Sequence, residues 1–352
     1  MDSQGLGDVV QSLPLLRAVC EWAKGRWPVQ ALFATSDHYE IVREEKLNLT
    51  PFFVSSVPRK PRSVLWLWSK LVGRPDLIVC APEMSAAKLV WLKYATGARY
   101  AIGEASAPYD RFLTSSVETS WTMPWSETQD AIAAVLGIRT PLEPPFIRLT
   151  QQEIGWAEST FAQTEIDSTQ RLLGIQCSSV VSQKCWPPAN FGEVVKEMHR
   201  RYSGLCVVSF GNATERASAD QARRIAGNVS WVEGEGQWSI RQTLAMLSRC
   251  DIFLSGDTGL MHMAAAVGTP TVSIFGPTSA TRRAPTHNGG ISVCPETPCH
   301  PCFQGAWTPC ECIRAVTPIR VVAALDQCLA EIAESRSIRT PVGAETVGSA
   351  KR

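Results

Sequence analysis

A strand, a glycine-rich turn, a helix and a second strand follow one another between residues 251 and 276. The apolar run Ile252 to Leu254 leads into Gly-Asp-Thr-Gly, and an Ala-rich stretch then ends at Gly268 and Pro270, before the apolar run Thr271 to Phe275. This order predicts a strand–helix–strand unit of a parallel sheet. Glycines at the start of such a helix let backbone N–H groups approach a ligand, and the helix dipole favours negative charge there. The segment therefore predicts a phosphate site.

The same segment resembles the signature of glycosyltransferase family 9, the ADP-heptose:lipopolysaccharide heptosyltransferases. Residues 257–266 read Asp-Thr-Gly-Leu-Met-His-Met-Ala-Ala-Ala, and residues 268–278 read Gly-Thr-Pro-Thr-Val-Ser-Ile-Phe-Gly-Pro-Thr. Both runs match the family pattern almost throughout. A helix that only packs on a sheet does not require Asp-Thr-Gly-x-x-His. The resemblance implies the GT-B fold, in which two Rossmann-like α/β domains face a cleft.

The length and the pattern of the chain also predict two domains. A chain of 352 residues is too long for one ordinary core. Helical and strand patterns alternate up to about Leu142, and again after the Pro-rich stretch Thr140 to Pro145. We therefore predict an acceptor-binding domain over residues 1–145 and a nucleotide-sugar-binding domain over 146–333. Residues 334–352 have little apolar content and are expected to be a disordered tail.

The N-terminus departs from the family pattern. Family members start with an apolar strand before the Gly-x-Gly-Asp turn, whereas only Met1 to Gln4 precede Gly5 in this sequence. Either the start of the chain has been assigned too late, or the N-terminal domain lacks its first strand. The second alternative would leave backbone groups of the neighbouring strands unpaired.

Charge and hydropathy exclude some classes of partner. The chain has 34 Lys and Arg against 33 Asp and Glu, so no overall field attracts nucleic acid. It has no basic region followed by an apolar run at its start, and no apolar stretch long enough to span a membrane. We therefore expect a cytoplasmic protein.

A basic segment with two tryptophans is the candidate acceptor site. Arg59, Lys60 and Arg62 precede Trp66 and Trp68. Such a mixture suits an anionic glycolipid or the inner surface of the membrane. A helix that buries a tryptophan and has a solvated basic end is the alternative.

Asp8 is the candidate general base. It ends the run Gly5-Leu6-Gly7-Asp8, and with Pro14 further on it resembles the N-terminal pattern of the family. The resemblance implies that Asp8 takes the proton from the acceptor hydroxyl. The alternative role is a helix N-cap.

Lys184 and Glu215 are candidate donor-binding residues of the second domain. Lys184 precedes Cys185-Trp186-Pro187, which is similar to the family's Lys-x-Trp-Pro, and a lysine there can offset charge on a leaving pyrophosphate. Glu215 matches the acidic residue that binds a ribose hydroxyl in the family. It could equally be an acid that stabilises the first turn of a helix.

The remaining donor-binding candidates belong to the signature segment. Backbone amides of Thr258 and Gly259, followed by Leu260, would hold the phosphates, and Asp257 would bind the sugar hydroxyls. His262 lies one turn into the helix and is predicted to face the same end. A packed histidine with no ligand is the alternative.

No two aspartates are spaced i, i+2, so the Asp-x-Asp pair with which GT-A transferases hold a divalent ion is missing from the sequence. We therefore expect transfer to need no metal cofactor. The positive charge would come from Lys184, the helix N-terminus and Arg282 or Arg283.

A dense group of cysteines lies near the C-terminal end. Cys299 and Cys302 are followed by Cys310 and Cys312, a spacing that could close a tetrahedral thiolate site for zinc or iron. Free thiols or an exposed redox pair are the alternatives. Relatives in the family carry a similar pattern, some with bound metal, which implies a structural role.

These residues together predict an inverting glycosyltransferase that moves heptose, or a related sugar, from an ADP-sugar to a lipopolysaccharide-type or other glycan acceptor. The alternative is a non-catalytic nucleotide-sugar or glycan-binding module with a structural Cys-metal site. A nicotinamide-dependent oxidoreductase is disfavoured, because Val10 stands where the third glycine of Gly-x-Gly-x-x-Gly is required.

Overall fold

The computed structural model describes residues 5–53, 75–82, 86–105, 108–164, 170–285, 287, 289–296 and 311–338. Two α/β halves follow one another along the chain. The described helices and strands of the N-terminal half are α1 (Leu6–Ala23), β1 (Val29–Phe33), α2 (Ser36–Val42), β2 (Leu49–Phe53), β3 (Leu77–Val79), α3 (Ala86–Thr96), β4 (Tyr100–Glu104), β5 (Ser115–Val117) and α4 (Trp125–Val135).

The described strands of the N-terminal half form two separate parallel groups. β1 pairs with β2, and β3, β4 and β5 pair in that order, with no ladder between the two groups. α1 packs against both groups, because Leu13 shares a buried cluster with Phe33 of β1, and Leu15 shares another with Ile102 of β4. Among the described residues α1 is the first element, and Met1 to Gln4 lie outside them.

Pro14 interrupts the hydrogen bonds of α1, and a side chain of α4 replaces them. Proline has no backbone N–H and displaces the helix ladder around it. Gln129 accepts a hydrogen bond from the Leu15 N–H at 3.2 Å through its Oε1. Its Nε2 donates to the carbonyl of Gln11 at 2.8 Å. The buried side chain of Gln129 therefore fixes the path of α1 at the point where the helix is weakest.

The C-terminal half is built on one parallel sheet. Within the described residues its strands are hydrogen-bonded in the order β11-β10-β9-β6-β7-β8. Its described helices and strands are α5 (Gln151–Ala162), β6 (Arg171–Ile175), α6 (Pro188–Arg201), β7 (Leu205–Ser209), α7 (Arg216–Ala226), β8 (Ser230–Glu233), α8 (Ile240–Leu247), β9 (Ile252–Gly256), α9 (Gly259–Ala266), β10 (Thr271–Ile274), α10 (Ala280–Arg283), β11 (Ile291–Val293), α11 (Glu311–Arg314) and α12 (Pro318–Ile338).

Helices cover both faces of this sheet. β7 and β9 are buried along their whole length, as expected for parallel strands that are covered on both faces. One core includes Phe191 of α6 and Leu325 of α12. The other includes Leu244 of α8, Ala264 of α9 and Leu13 of α1. This second core continues across the junction between the two halves, so α1 is held by the C-terminal half as well as by its own.

Two ion pairs fix the segment that follows the Pro-rich stretch. Arg17 of α1 binds Glu45 at 2.6 Å and also donates to the carbonyl of Phe146. Arg241 of α8 binds Glu153 at 2.6 Å and donates to the carbonyl of Arg148. The connection between the two halves is therefore held from both sides.

The last described helix is longer than the sequence predicts. α12 ends at Ile338, four residues past Glu334, where we predicted the start of a disordered tail. Residues 339–352 of that predicted tail lie outside the described residues. Among the described helices, none is both long enough and apolar enough to cross a bilayer.

Candidate active site at the junction of the two halves

The N-termini of α1 and α9 meet at the junction. A Cβ atom on Gly7 would lie 3.0 Å from the Cα of Gly259 and 2.8 Å from Cδ2 of His262. Only a residue without a side chain allows the two backbones to come this close. At the N-terminus of a helix the first N–H groups have no partner within the helix, and the end carries a partial positive charge. Their convergence forms a site that favours an anion.

Asp8 lies in the first turn of α1, at this junction. Its Oδ2 accepts a hydrogen bond from the N–H of Gly5 at 2.9 Å, as a capping residue does. Its Oδ1 lies 3.7 Å from Nη1 of Arg283, and its side chain is 29% exposed. Asp8 therefore caps its helix and still presents a carboxylate oxygen beside a cation of the other half.

Lys184 and Asp257 form a buried ion pair. Lys184 Nζ donates to Oδ2 of Asp257 at 2.6 Å, and the side chains are 14% and 4% exposed. Burial alone would raise the pKa of Asp257, but the charges of Lys184 and Arg283 and the hydrogen bond from Lys184 hold that pKa below its usual value. Asp257 is therefore ionised and orients the Lys184 ammonium at the start of α9.

His262 is buried in the first turns of α9 and binds Gln11 of α1. The amide nitrogen of Gln11 lies 2.8 Å from both ring nitrogens of His262 and donates to the carbonyl of Arg283 at 3.0 Å. An amide N–H₂ is only a donor, so it binds the ring nitrogen that carries no proton. Burial lowers the pKa of His262 to about 3, against the opposing charge of Asp257. The ring is neutral at physiological pH and joins the two halves.

A line of polar side chains follows the carboxyl ends of three neighbouring strands. Thr258, after β9, donates to Oε1 of Gln176, after β6, at 2.6 Å. Gln176 Nε2 lies 3.3 Å from Oε1 of Glu215, which follows β7. Glu215 Oε2 accepts from the N–H of Asn212 at 2.8 Å in a capping box. The structural role at the start of a helix that the sequence left open for Glu215 is therefore present as a capping box, and the carboxylate also lies near the amide of Gln176.

The two arginines after the Gly-Pro-Thr turn have different surroundings. Arg282 is buried and binds Glu104 of β4 at 2.7 Å, so it joins the two halves. Arg283 lies beside Asp8 and is one of the charges that lower the pKa of Asp257. Leu260, in the first turn of α9, is partly buried against the core around α1. Of the two arginines, only Arg283 faces the predicted site residues.

Several predicted residues lie outside the described residues: Arg59, Lys60, Arg62, Cys299, Cys302 and Cys310. Cys312 is described and is buried in α11. Within the part of the chain that the structure describes, no three His, Cys, Asp or Glu side chains come together as a metal site. The acceptor site and the cysteine site remain predictions.

Three site residues were missed in the sequence. Gln11 and Gln176 carry the hydrogen bonds described above. Glu235, after β8, is a buried carboxylate whose oxygens have no hydrogen-bond partner in the described part of the chain. Gln176 and Glu235 follow strands of a parallel sheet, where ligands commonly bind, and that position is the signal that could have found them. Gln11 has no such signal, because its partner is 251 residues away.

Comparison with known proteins identifies relatives of this chain. The model of glycosyltransferase family 9 (heptosyltransferase) matches residues 68–308, more than half of the chain. Lipooligosaccharide heptosyltransferase 2 of Haemophilus ducreyi is 25% identical over 160 residues, which are 44% of this chain and 45% of the relative. The chain thus spans less than half of the length of the curated relatives it matches.

Solved structures match over nearly the whole chain. A glycosyl transferase family 9 protein from Veillonella parvula has a TM-score of 0.73 at 18% identity and covers 93% of this chain and 95% of its own. The ADP-heptose lps heptosyltransferase II of E. coli has a TM-score of 0.69 at 19% identity, with coverages of 94% and 98%. The likeness in fold confirms the predicted GT-B architecture.

Proposed function

Because the chain belongs to glycosyltransferase family 9, we propose that it transfers heptose, or a related sugar, from an ADP-sugar to a lipopolysaccharide-type or other glycan acceptor. One observation carries this proposal. The anion-binding start of α9, with Lys184 beside it, meets the start of α1, where Asp8 presents its carboxylate. A donor diphosphate and a general base would therefore lie on opposite sides of one junction.

Asp8 is the proposed general base. Its carboxylate removes the proton of the acceptor hydroxyl as that oxygen attacks the anomeric carbon of the donor sugar. The new bond forms on the face opposite the phosphate, the bond from the anomeric carbon to the phosphate oxygen breaks, and ADP leaves with the electron pair. The configuration at the anomeric carbon is thereby inverted. The partial exposure of Asp8 supports this role, because an acceptor must reach it.

Lys184 and the start of α9 are proposed to stabilise the leaving ADP. Negative charge builds on the phosphate oxygen as the glycosidic bond breaks, and a preorganised ammonium is most useful at that moment. The backbone amides of Thr258 and Gly259 add hydrogen-bond donors at the helix N-terminus. This arrangement supports donor activation by the protein's own charges.

Asp257 is proposed to act as a positioning residue for Lys184. Its buried carboxylate already accepts the short hydrogen bond from the ammonium. This contact supports a role in holding Lys184 toward the phosphate, in addition to the binding of sugar hydroxyls implied by the family. The proposal also covers the acceptor. The protein acts in the cytoplasm and binds a glycolipid acceptor at the inner membrane surface through Arg59, Lys60 and Arg62.

A binding and transfer experiment tests this function. Purified protein is titrated with ADP-, GDP- and UDP-sugars, and its melting temperature is followed, because a ligand that binds the folded state stabilises it. The same preparation is then incubated with ADP-heptose and a heptose-free lipopolysaccharide acceptor. We expect stabilisation by ADP-sugars and transfer to the acceptor. Donor binding with no transfer to any glycan would favour the non-catalytic binding module.

The cysteine group is proposed to hold one structural zinc or iron ion. The buried position of Cys312 in α11 would suit a ligand to an ion inside the fold. We expect elemental analysis to find about one metal ion per chain in protein purified without added metal, and chelation to reduce stability more than transfer. Full thermal stability of a metal-free preparation would contradict the site.

A further inference from the structure

Glu235 is a buried glutamate at the carboxyl end of β8. It is 1% exposed, and neither oxygen of its carboxylate has a hydrogen-bond partner among the described residues. A buried carboxylate without partners destabilises the fold, because it has lost its hydrogen bonds to water and no hydrogen bond within the protein replaces them. Such a group calls for a specific explanation. A ligand with hydrogen-bond donors would supply one.

The backbone around Glu235 is held firmly although its carboxylate is not. The N–H of Gly236 donates to the carbonyl of Gly211 at 2.9 Å, which ties the loop after β8 to the loop after β7. Arg216 donates from Nη2 to the main-chain oxygen of Glu235 at 3.0 Å. Arg216 thus binds the main-chain oxygen of this residue and leaves its carboxylate without that cation as a hydrogen-bond donor.

Glu235 and Glu215 share a neighbour. Burial first, and then the negative charges of Glu235 and Glu215, raise the pKa of the Cys177 thiol well above its usual value. Cys177 follows β6, so both carboxylates lie near the end of that strand. Two acceptor groups therefore line the same edge of the sheet as Thr258.

The order of these residues along the edge matches the order of the parts of a nucleotide. Thr258 follows β9, Gln176 follows β6, Glu215 follows β7 and Glu235 follows β8, and these strands are neighbours in that order. At about 4.8 Å between strands, the edge from β9 to β8 measures roughly 14 Å. With the diphosphate at Thr258, the ribose falls beside Gln176 and Glu215, and the base falls beside Glu235.

We propose that the Glu235 carboxylate accepts a hydrogen bond from the exocyclic amino group of an adenine base and thereby selects adenine. The inference rests on the proposed function, because it takes the donor to be a nucleotide sugar with its phosphate at α9. Adenine presents an amino donor on the edge where hypoxanthine, guanine and uracil present a carbonyl oxygen. A carboxylate oxygen accepts a hydrogen bond from the amino group and repels the carbonyl oxygen.

The test compares ADP with IDP, which differ at this position of the base. Dissociation constants are measured by calorimetry for the wild type, Glu235→Gln, Glu215→Gln and Glu193→Gln. The wild type should bind ADP about 10- to 100-fold more tightly than IDP, the range of one hydrogen bond to a charged group. In Glu235→Gln the amide nitrogen can donate to the carbonyl oxygen of IDP, so the preference should fall to about threefold or less.

The two other variants control for general effects. Glu215→Gln should weaken ADP and IDP equally, because the ribose is common to both, and should leave their ratio unchanged. Glu193 is exposed on α6, so Glu193→Gln should change neither constant. Without ligand, Glu235→Gln should raise the melting temperature by about 2 °C or more, because it removes a buried carboxylate that has no partner among the described residues.

The outcomes separate the two proposals. If ADP binds and Glu235→Gln leaves the ratio of ADP to IDP unchanged, the assignment of Glu235 is overturned and the proposed function stands. A lower melting temperature of ligand-free Glu235→Gln would also overturn it, since the carboxylate would then have a structural partner. If the wild type binds neither nucleotide, the proposed donor and the assignment fall together.

Discussion

The two halves of the molecule support their site residues in different ways. In the C-terminal half, Lys184, Glu215 and Thr258 all come after strands of one six-stranded sheet in the described residues. In the N-terminal half, Asp8 lies at the start of a helix between two separate groups of described strands. The donor side is therefore organised within its own domain, whereas Asp8 depends on how α1 meets α9.

Because of this difference, the position of Asp8 depends on the contacts between α1 and α9. Gly7 touches Gly259, Gln11 binds His262, and the core around Leu13 includes residues of α9. The C-terminal half therefore supplies much of the support that a continuous sheet would otherwise give to α1. Variants on the two sides of the junction should consequently fail in different ways.

The largest effect on the rate of transfer is expected for Asp8→Asn, which removes the proposed base and leaves the donor-binding residues intact. Asparagine keeps the size of the side chain and an oxygen for the N–H of Gly5, so folding should be nearly unchanged. The rate of transfer should fall by about 10²- to 10⁴-fold, the usual contribution of a general base. Binding of the ADP-sugar, measured by calorimetry, should be retained because Lys184 and α9 are intact.

Asp37 provides the matched control for Asp8. It is an exposed aspartate in the first turn of α2, in the same half of the chain. Asp37→Asn should leave both transfer and donor binding as in the wild type. Transfer at the wild-type rate by a folded Asp8→Asn protein would show that the base is another residue.

The next effect is expected for Lys184→Ala, on the donor side. The barrier to transfer should rise by about 2 to 4 kcal/mol, the range for one preorganised electrostatic group, and kcat should fall more than donor binding. The variant also leaves the buried Asp257 without its cation, which should cost about 3 kcal/mol or more of stability. Steady-state kinetics and denaturant unfolding measure the two effects separately.

A double variant distinguishes these two effects. Lys184→Ala combined with Asp257→Asn removes both charges of the pair, so most of the lost stability should return while transfer stays low. Lys196 is exposed on α6, and Lys196→Ala should change neither property. An unchanged kcat with only a higher KM for the donor would rule out a role for Lys184 in the transition state.

The sequence predicted the C-terminal half more completely than the N-terminal half, for physical reasons. β9 and β10 begin at Ile252 and Thr271, the residues at which the two apolar runs of the signature segment begin. β2 was not predicted because it contains Pro51, and proline normally argues against a strand. β5 was not predicted because it has only three residues, two of which are serines. Weak local patterns of this kind become strands only through tertiary contacts.

The site shows the same division. The signature around Asp257 and the position of Lys184 after β6 are local patterns, so the sequence could place them together. The contacts Gln11–His262 and Arg282–Glu104 join residues that are far apart in the chain. The local sequence around each of these residues does not indicate its partner. That no described residue binds the Glu235 carboxylate is likewise a property of the folded chain alone.

A smaller effect is expected for Gly7→Ala, which should disturb the meeting of α1 and α9. The added methyl group would lie 2.8 Å from the ring of His262 and 3.0 Å from the backbone of Gly259, so the helices must move apart. Overpacking of this kind costs about 1 to 3 kcal/mol in the free energy of unfolding. Gly155, in α5, has open space around it, and Gly155→Ala should stabilise by up to about 1 kcal/mol. Equal stabilisation by both variants would contradict the close contact.

The smallest effect is a pH dependence that arises from His262. Burial lowers the pKa of this ring to about 3 in the folded protein, whereas in the unfolded chain it is near the ordinary 6.5. Between these values the unfolded state binds a proton that the folded state does not, so the free energy of unfolding falls as the pH drops below 6.5 and is constant above it. Between pH 7 and pH 5.5 the loss should be about 1 kcal/mol. His262→Gln has no titrating ring but can still accept a hydrogen bond from Gln11, so its loss over the same range should be smaller by that amount. Denaturant unfolding of both proteins at the two pH values measures the difference, and equal losses would mean that His262 is not held neutral between the two halves.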